Sequence, residues 1–128
     1  MNKKYNLSVV IITKNEEKNI VEVVENVGFA DEVVVVDNSS EDQTVELAKK
    51  SGAIVYSEKF SDYAQQRNYA LDVAKGKWIL YVDADERVTS ELKKEIMKVI
   101  AESNSAKTHF SLQRKNFYFG NHEWPCIE

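Results

Sequence analysis

Residues 78–89 read WILYVDADERVT. The first five are apolar or aromatic with no polar interruption, which suits a short strand buried on both faces, as in a parallel sheet covered by helices. The run then meets Asp83, Asp85 and Glu86, three carboxylates within four positions. Like charges this close repel, and burying them unpaired is costly. A core strand that delivers two aspartates to its own end therefore needs a reason for them.

Working outward, residues 7–12 and 33–36 are continuous aliphatic runs of the same kind, and 53–56 reads as another strand. Helical patterns separate them. Ile20, Val23, Val24 and Val27 fall at i, i+3, i+4 and i+7, one face of a helix. Ser40 with Gln43 has capping-box spacing and predicts a helix over 41–51; Asp62 with Gln65 predicts one closing at Gly76. Leu92, Ile96, Val99 and Ile100 mark a further helix. Strands alternating with helices predict an α/β fold, a mostly parallel sheet flanked by helices. Beyond Lys107 the pattern alternates, with Phe110 and Leu112 on one face and Phe117 and Phe119 following across Arg114-Lys115. This predicts an antiparallel strand or hairpin near the sheet edge.

The length, 128 residues, suits a single domain over 1–128 that buries roughly two thirds of its unfolded surface. A hydrophobic share of 43% beside 30% charged residues is that of a globular protein. A net charge of −4 argues against a general nucleic-acid binder. It leaves room for a phosphate-bearing small molecule, because a metal ion can reverse the local field. Cys126 is the single cysteine, so no intrachain disulfide forms and a reducing, cytoplasmic setting is expected. The start, MNKKYNLSVVIIT, lacks a secretory signal, and no run is long enough to span a bilayer. Peripheral association with the inner face of a membrane stays open.

Ligands of open α/β sheets sit outside the carboxyl ends of the strands. Three strands end in polar residues there: at Thr13 before Lys14-Asn15-Glu16, at Asp37, and at Asp83 and Asp85. Positions i and i+2 of an extended chain point the same way, so Asp83 and Asp85 can face one spot. Two hard oxygen ligands suit Mg²⁺ or Mn²⁺, whose other positions substrate phosphates and water fill. The competing reading is a solvated turn or a cap for the helix starting near Ser90. Asp37 either forms an Asx-turn or accepts from a nucleotide base or ribose. Arg67 follows Ala64 and precedes Leu71 on the expected inward face of its helix, where its guanidinium needs a carboxylate or a nucleotide phosphate or base. His109 and His122 belong to no cluster, and Trp124 reads as a packing aromatic.

Together LSVVIITKNEE, VVVVDNSSEDQT, AQQRNYAL and WILYVDADE resemble the family 2 glycosyltransferases of GT-A fold, over residues 6–86. THFSLQRKNFYFGNHEW resembles a bacterial subgroup that includes transferases of the lipopolysaccharide core. The resemblance implies a nucleotide-sugar donor, often a UDP-sugar, inversion at the anomeric carbon, and a glycan or lipid-linked acceptor. It implies that Thr13, with Asn15 and Glu16 beside it, lines the nucleotide pocket and that Asp37 holds base or ribose. Arg67 lies against the nucleotide, Asp83 faces ribose and metal, and Asp85 ligates the metal. Two departures stand out. Asn38 replaces a frequent second aspartate, and no aspartate follows Asp85 in the remaining 43 residues, so the family's downstream base is not identified; Glu123 and Glu128 are late carboxylates without a motif. The expectation is a donor-binding part that lacks the downstream acceptor and base region, with little transfer activity alone. A non-catalytic nucleotide-sugar module shares every donor-side feature. A phosphatase of the aspartate-nucleophile class fits less well, since Arg87 stands where it usually has Thr or Val and the motif falls on the fourth strand instead of the first.

Overall fold

The computed structural model describes residues 6–102, 109–111 and 118–121, with side chains over 6–101. Strand and helix alternate as β1 (Leu7–Thr13), α1 (Ile20–Asn26), β2 (Glu32–Asn38), α2 (Thr44–Lys50), β3 (Ile54–Glu58), α3 (Tyr63–Val73), β4 (Trp78–Asp83) and α4 (Ser90–Glu102). Two short strands follow, β5 (His109–Ser111) and β6 (Tyr118–Asn121). The sheet order is β3-β2-β1-β4-β6-β5. The first four pair in parallel; the backbone of β6 runs antiparallel to β4, with β5 antiparallel beyond it.

Unbroken aliphatic runs are what a sheet covered on both sides demands, and β1 is buried along its whole length. One face packs against Ile20, Val23, Val24 and Val27 from α1 and its cap, Ala48 from α2, and Leu92 and Ile96 from α4. The other packs Val10, Ile12, Val34, Val36, Ile79 and Tyr81 against Phe60, Ala70 of α3 and its cap Ala74. The exception is β3, an edge strand only half covered, with Ile54 exposed.

Two hydroxyl–carboxylate pairs join β1 to β2. Ser8 Oγ donates to Glu32 Oε2 at 2.6 Å and Thr13 Oγ1 to Asp37 Oδ1 at 2.6 Å. Both are register partners, at opposite ends of the ladder.

Three expectations need correction. The 41–51 helix starts at Thr44, and its N-cap, Gln43, makes no side-chain cap bond. Ser40 is diverted: its hydroxyl donates to Asp37 and accepts from the Asn15 N–H. On α3, Asp62 caps as expected, accepting from the Gln65 N–H at 2.8 Å, but the helix stops at Val73. Gly76 serves a different end, because a Cβ there would lie 2.5 Å from Ser8 Oγ and 2.6 Å from its nitrogen. Finally, the inward face of α3 is carried by Gln66, Ala70 and Ala74, and Ala64 is exposed. Arg67 is therefore half-buried at the border of that face.

Candidate functional site

The sheet order reverses direction between β1 and β4, since β2 and β3 continue to one side of β1 while β4 lies on the other. The crevice outside the carboxyl ends of two such strands is where α/β sheets bind ligands. Register brings the strand ends level: Thr13 pairs with Asp37, and Ile12 with Asp83. A cavity of about 320 Å³ opens at this point, lined by residues that include Thr13, Lys14, Glu16, Tyr63, Gln66, Asp83 and Asp85.

Asp83 is half-buried and Asp85 exposed. Burial, and then the charge of Asp85, push the Asp83 carboxyl above the usual carboxylate range; Glu16 adds to this, and the Tyr63 hydroxyl opposes it. Tyr63 Oη donates to Asp83 Oδ1 at 3.4 Å and also contacts the Tyr81 hydroxyl. Its own pKa is pushed up to about 12 by burial and by Asp83, so the phenol stays a donor. The Asp83 N–H donates to Glu86 Oε1 at 3.1 Å.

The donor set is two aspartates with Glu16 on the same cavity. Among the described residues no three acidic, histidine or cysteine side chains cluster closely enough to enclose a cation by themselves. Such a pair fits a hard cation that takes one or two protein carboxylates and completes its shell from phosphate and water. Burial first, and the neighbouring Asp85 carboxylate second, disfavour the ionised form of Asp83.

Of the other expected site residues, Thr13 and Glu16 line this cavity, whereas Asp37, Asn15 and Arg67 lie around it. Asp37 is fully buried, and its carboxylate accepts from the Thr13 hydroxyl and from Ser40 N–H and Oγ at 2.8 and 2.5 Å. Asn15, with a left-handed φ of 55°, stitches the β1–α1 loop to the β2–α2 loop: its N–H donates to Ser40 Oγ at 2.7 Å and its Oδ1 accepts from the Glu41 N–H at 2.8 Å. The Glu16 N–H likewise donates to Thr44 Oγ1 at 2.8 Å. The Arg67 guanidinium lies 6.0 Å from the centre of the ring of Tyr63, which lines the cavity. Glu123 and Glu128, with His122 and Trp124, lie outside the described residues.

Sequence reasoning missed Gln66, Tyr63 and Arg87. Gln66 is buried and donates from Nε2 to the carbonyls of Thr13 at 3.0 Å and Val36 at 2.8 Å, so α3 grips the ends of β1 and β2 at once. Its position four and eight residues before Ala70 and Ala74 was the available signal.

The glycosyl transferase family 2 model matches residues 8–124. An uncharacterized glycosyltransferase of Rickettsia typhi is 41% identical over 99 residues, covering 77% of this chain and 34% of its own. Among solved structures, residues 1–349 of TarS from Staphylococcus aureus superpose with a TM-score of 0.62 at 31% identity, over 76% of this chain and 32% of that one. Glucosyl-3-phosphoglycerate synthase of Mycobacterium tuberculosis, solved with Mn²⁺, UDP and glucosyl-3-phosphoglycerate, superposes with a TM-score of 0.58 at 26% identity, over 63% and 34% of the two chains. The chain thus spans about a third of the length of these relatives. Among the described residues no helix is long and apolar enough to cross a membrane. With the alternating α/β order and a family match over nearly the whole chain, the protein belongs to glycosyl transferase family 2.

Proposed function

We propose that this chain forms the donor side of a metal-dependent, inverting glycosyltransferase that takes a nucleotide-activated sugar, a UDP-sugar first of all. The observation that carries the proposal is the pairing of Asp83 and Asp85 on a cavity at the β1/β4 crevice, with the Asp83 carboxyl raised by burial and by its neighbour. Mg²⁺ or Mn²⁺ held by these two carboxylates would supply Lewis-acid stabilisation of the diphosphate as it leaves. Thr13, Glu16 and Tyr63 shape the wall on which the nucleoside rests, and Arg67 approaches it from α3. Asp37 supports that wall by fixing Thr13 and Ser40; a direct contact from Asp37 to base or ribose requires Ser40 to release it.

In the reaction, an acceptor hydroxyl oxygen forms a bond to the anomeric carbon as the bond to the diphosphate oxygen breaks, and a base takes the hydroxyl proton. Asp83 and Asp85 do not fill that last role, since carboxylates facing a cation have their lone pairs engaged. The presence of UDP and Mn²⁺ in the mycobacterial neighbour supports the donor and cofactor. A glycan or lipid-linked acceptor of the cell envelope is the reading that the staphylococcal poly(ribitol-phosphate) β-N-acetylglucosaminyltransferase relative supports. The test is thermal melting with UDP, with and without Mn²⁺. The expected result is a larger rise with both than with either alone. No rise with UDP or any other nucleoside diphosphate at millimolar concentration would overturn the reading.

A further inference from the structure

The turn that presents Asp85 lies between the end of β4 at Asp83 and the start of α4 at Ser90, and Arg87 holds it from within. Its Nη1 donates to the carbonyls of Ala84 at 2.8 Å and Glu86 at 2.7 Å. The first belongs to the peptide entering Asp85 and the second to the peptide leaving Glu86, so one nitrogen brackets the exposed carboxylate. The opposite edge of the guanidinium reaches α1: Nε and Nη2 donate to Glu22 Oε1 at 2.9 and 2.6 Å, and Nη2 to Asn19 Oδ1 at 3.4 Å. One residue further on, Asn26 of α1 pairs with both backbone groups of Val88, accepting from its N–H at 2.7 Å and donating to its carbonyl at 3.1 Å.

An ion pair with so exposed a carboxylate, Glu22 at 77%, contributes little to stability. What this arrangement does supply is direction. A planar fork joined to two backbone carbonyls and to a neighbouring helix fixes the path of the turn. A ligand held within a few tenths of an ångström depends on such support.

We propose that Arg87 is a positioning residue for the cation and diphosphate site. Anchored on Glu22 and Asn19, it holds the Asp85 turn in the conformation that faces Asp83. The proposal rests on the reading of Asp83 and Asp85 as the pair that holds a metal–diphosphate group. Lysine has three donors but on one nitrogen, so it lacks the separate edge with which the guanidinium reaches Glu22 and Asn19 while Nη1 holds the turn carbonyls; glutamate at position 87 donates to no carbonyl.

Calorimetric titration of UDP with and without Mn²⁺ on the parent, Arg87→Lys, Glu22→Gln and the swapped pair Glu22→Arg with Arg87→Glu tests this, beside a melt of each. Expected for Arg87→Lys is a loss of about ten-fold or more in the affinity gained from Mn²⁺, with metal-free UDP affinity and melting temperature near the parent's. Glu22→Gln should show a smaller loss of the same kind, and the swapped pair no recovery. Restoration of the Mn²⁺ gain by the swap would show that a mere ion pair suffices and overturn the positioning role. A full Mn²⁺ gain in Arg87→Lys, or equal falls in metal-free affinity and stability, would do the same while leaving the donor-site reading intact. Absence of any Mn²⁺ gain in the parent removes both.

Discussion

The side-chain amide of Gln66 donates to the carbonyl of Thr13 at 3.0 Å, deep under the strand ends that carry the candidate site. The same nitrogen serves Val36, so a single buried amide ties α3 to β1 and β2. Gln66→Leu keeps the bulk and removes both donors, leaving two buried carbonyls without this partner. A loss of about 1–3 kcal/mol is expected for a buried polar group left unsatisfied. Urea denaturation monitored by circular dichroism measures it; an unchanged midpoint would show that water takes over both carbonyls.

Asp85 is exposed and so separable from the fold. Asp85→Asn should leave the unfolding free energy of the ligand-free protein unchanged within about 0.5 kcal/mol, the range of ordinary surface substitutions. It should abolish the part of UDP binding that depends on Mn²⁺. Binding that keeps its full metal dependence would remove Asp85 from the site.

Asp83 behaves differently because its carboxyl is already raised by burial and by Asp85. The folded form therefore holds the proton more tightly than the unfolded chain does. Its favourable contribution is complete below the unfolded value of 3.8, and it is lost as pH rises through the higher folded value. At neutral pH the ionised group opposes folding in the absence of ligand. Asp83→Asn should raise the melting temperature at pH 7 and lose that advantage toward pH 3, while weakening metal-dependent nucleotide binding. Melts across this range decide; a variant less stable than the parent at pH 7 contradicts the assignment.

Arg67→Ala separates two roles. Contact with a nucleotide predicts binding weaker by about 1.5–3 kcal/mol, the range for hydrogen bonds to charged groups. A purely structural role predicts lower stability with nearly unchanged affinity. A UDP titration beside a denaturant melt reads both.

Three of the parallel strands, β1, β2 and β4, were legible in the sequence as short apolar runs that have few other ways to be buried; β3 was legible as a run of the same kind although it lies half covered at the sheet edge. The helices were legible where apolar periodicity marks them, as along Ile20, Val23 and Val24 or Leu92 and Ile96. On α3 the signal failed by one position. Its inward face is built from an amide and two alanines, so hydrophobicity scarcely distinguishes inside from outside, and Arg67 was placed more centrally than it is. The start of α2 was hidden for another reason. Ser40 has the local chemistry of a cap, but Asp37 and Asn15, distant partners by strand pairing and loop seam, claim it first. The spacing marked Asp83 and Asp85, but for the wrong geometric reason: the strand ends at Asp83, and Asp85 is carried by a turn in which the Glu86 N–H donates to the Asp83 carbonyl at 2.9 Å, so extended-chain alternation does not set its direction. The grip of Arg87 on that turn was not legible, because it depends on where α1 passes.

The paired hydroxyls and carboxylates of Ser8–Glu32 and Thr13–Asp37 work as a two-point gauge. They lie five residues apart along β1, so by strand alternation they face opposite sides of the sheet. A slip of one residue between β1 and β2 would turn each carboxylate to the wrong side and strand both at once, whereas the aliphatic runs, covered on both faces, would merely change sides. An all-valine ladder has little to choose between neighbouring registers by shape; these two pairs make the choice chemical. The lower pair is remote from the β1/β4 crevice, so an isosteric apolar replacement there would blunt alignment without touching ligand chemistry. The upper pair cannot be altered so cleanly, because Thr13 both fixes the alignment and lines the candidate cavity.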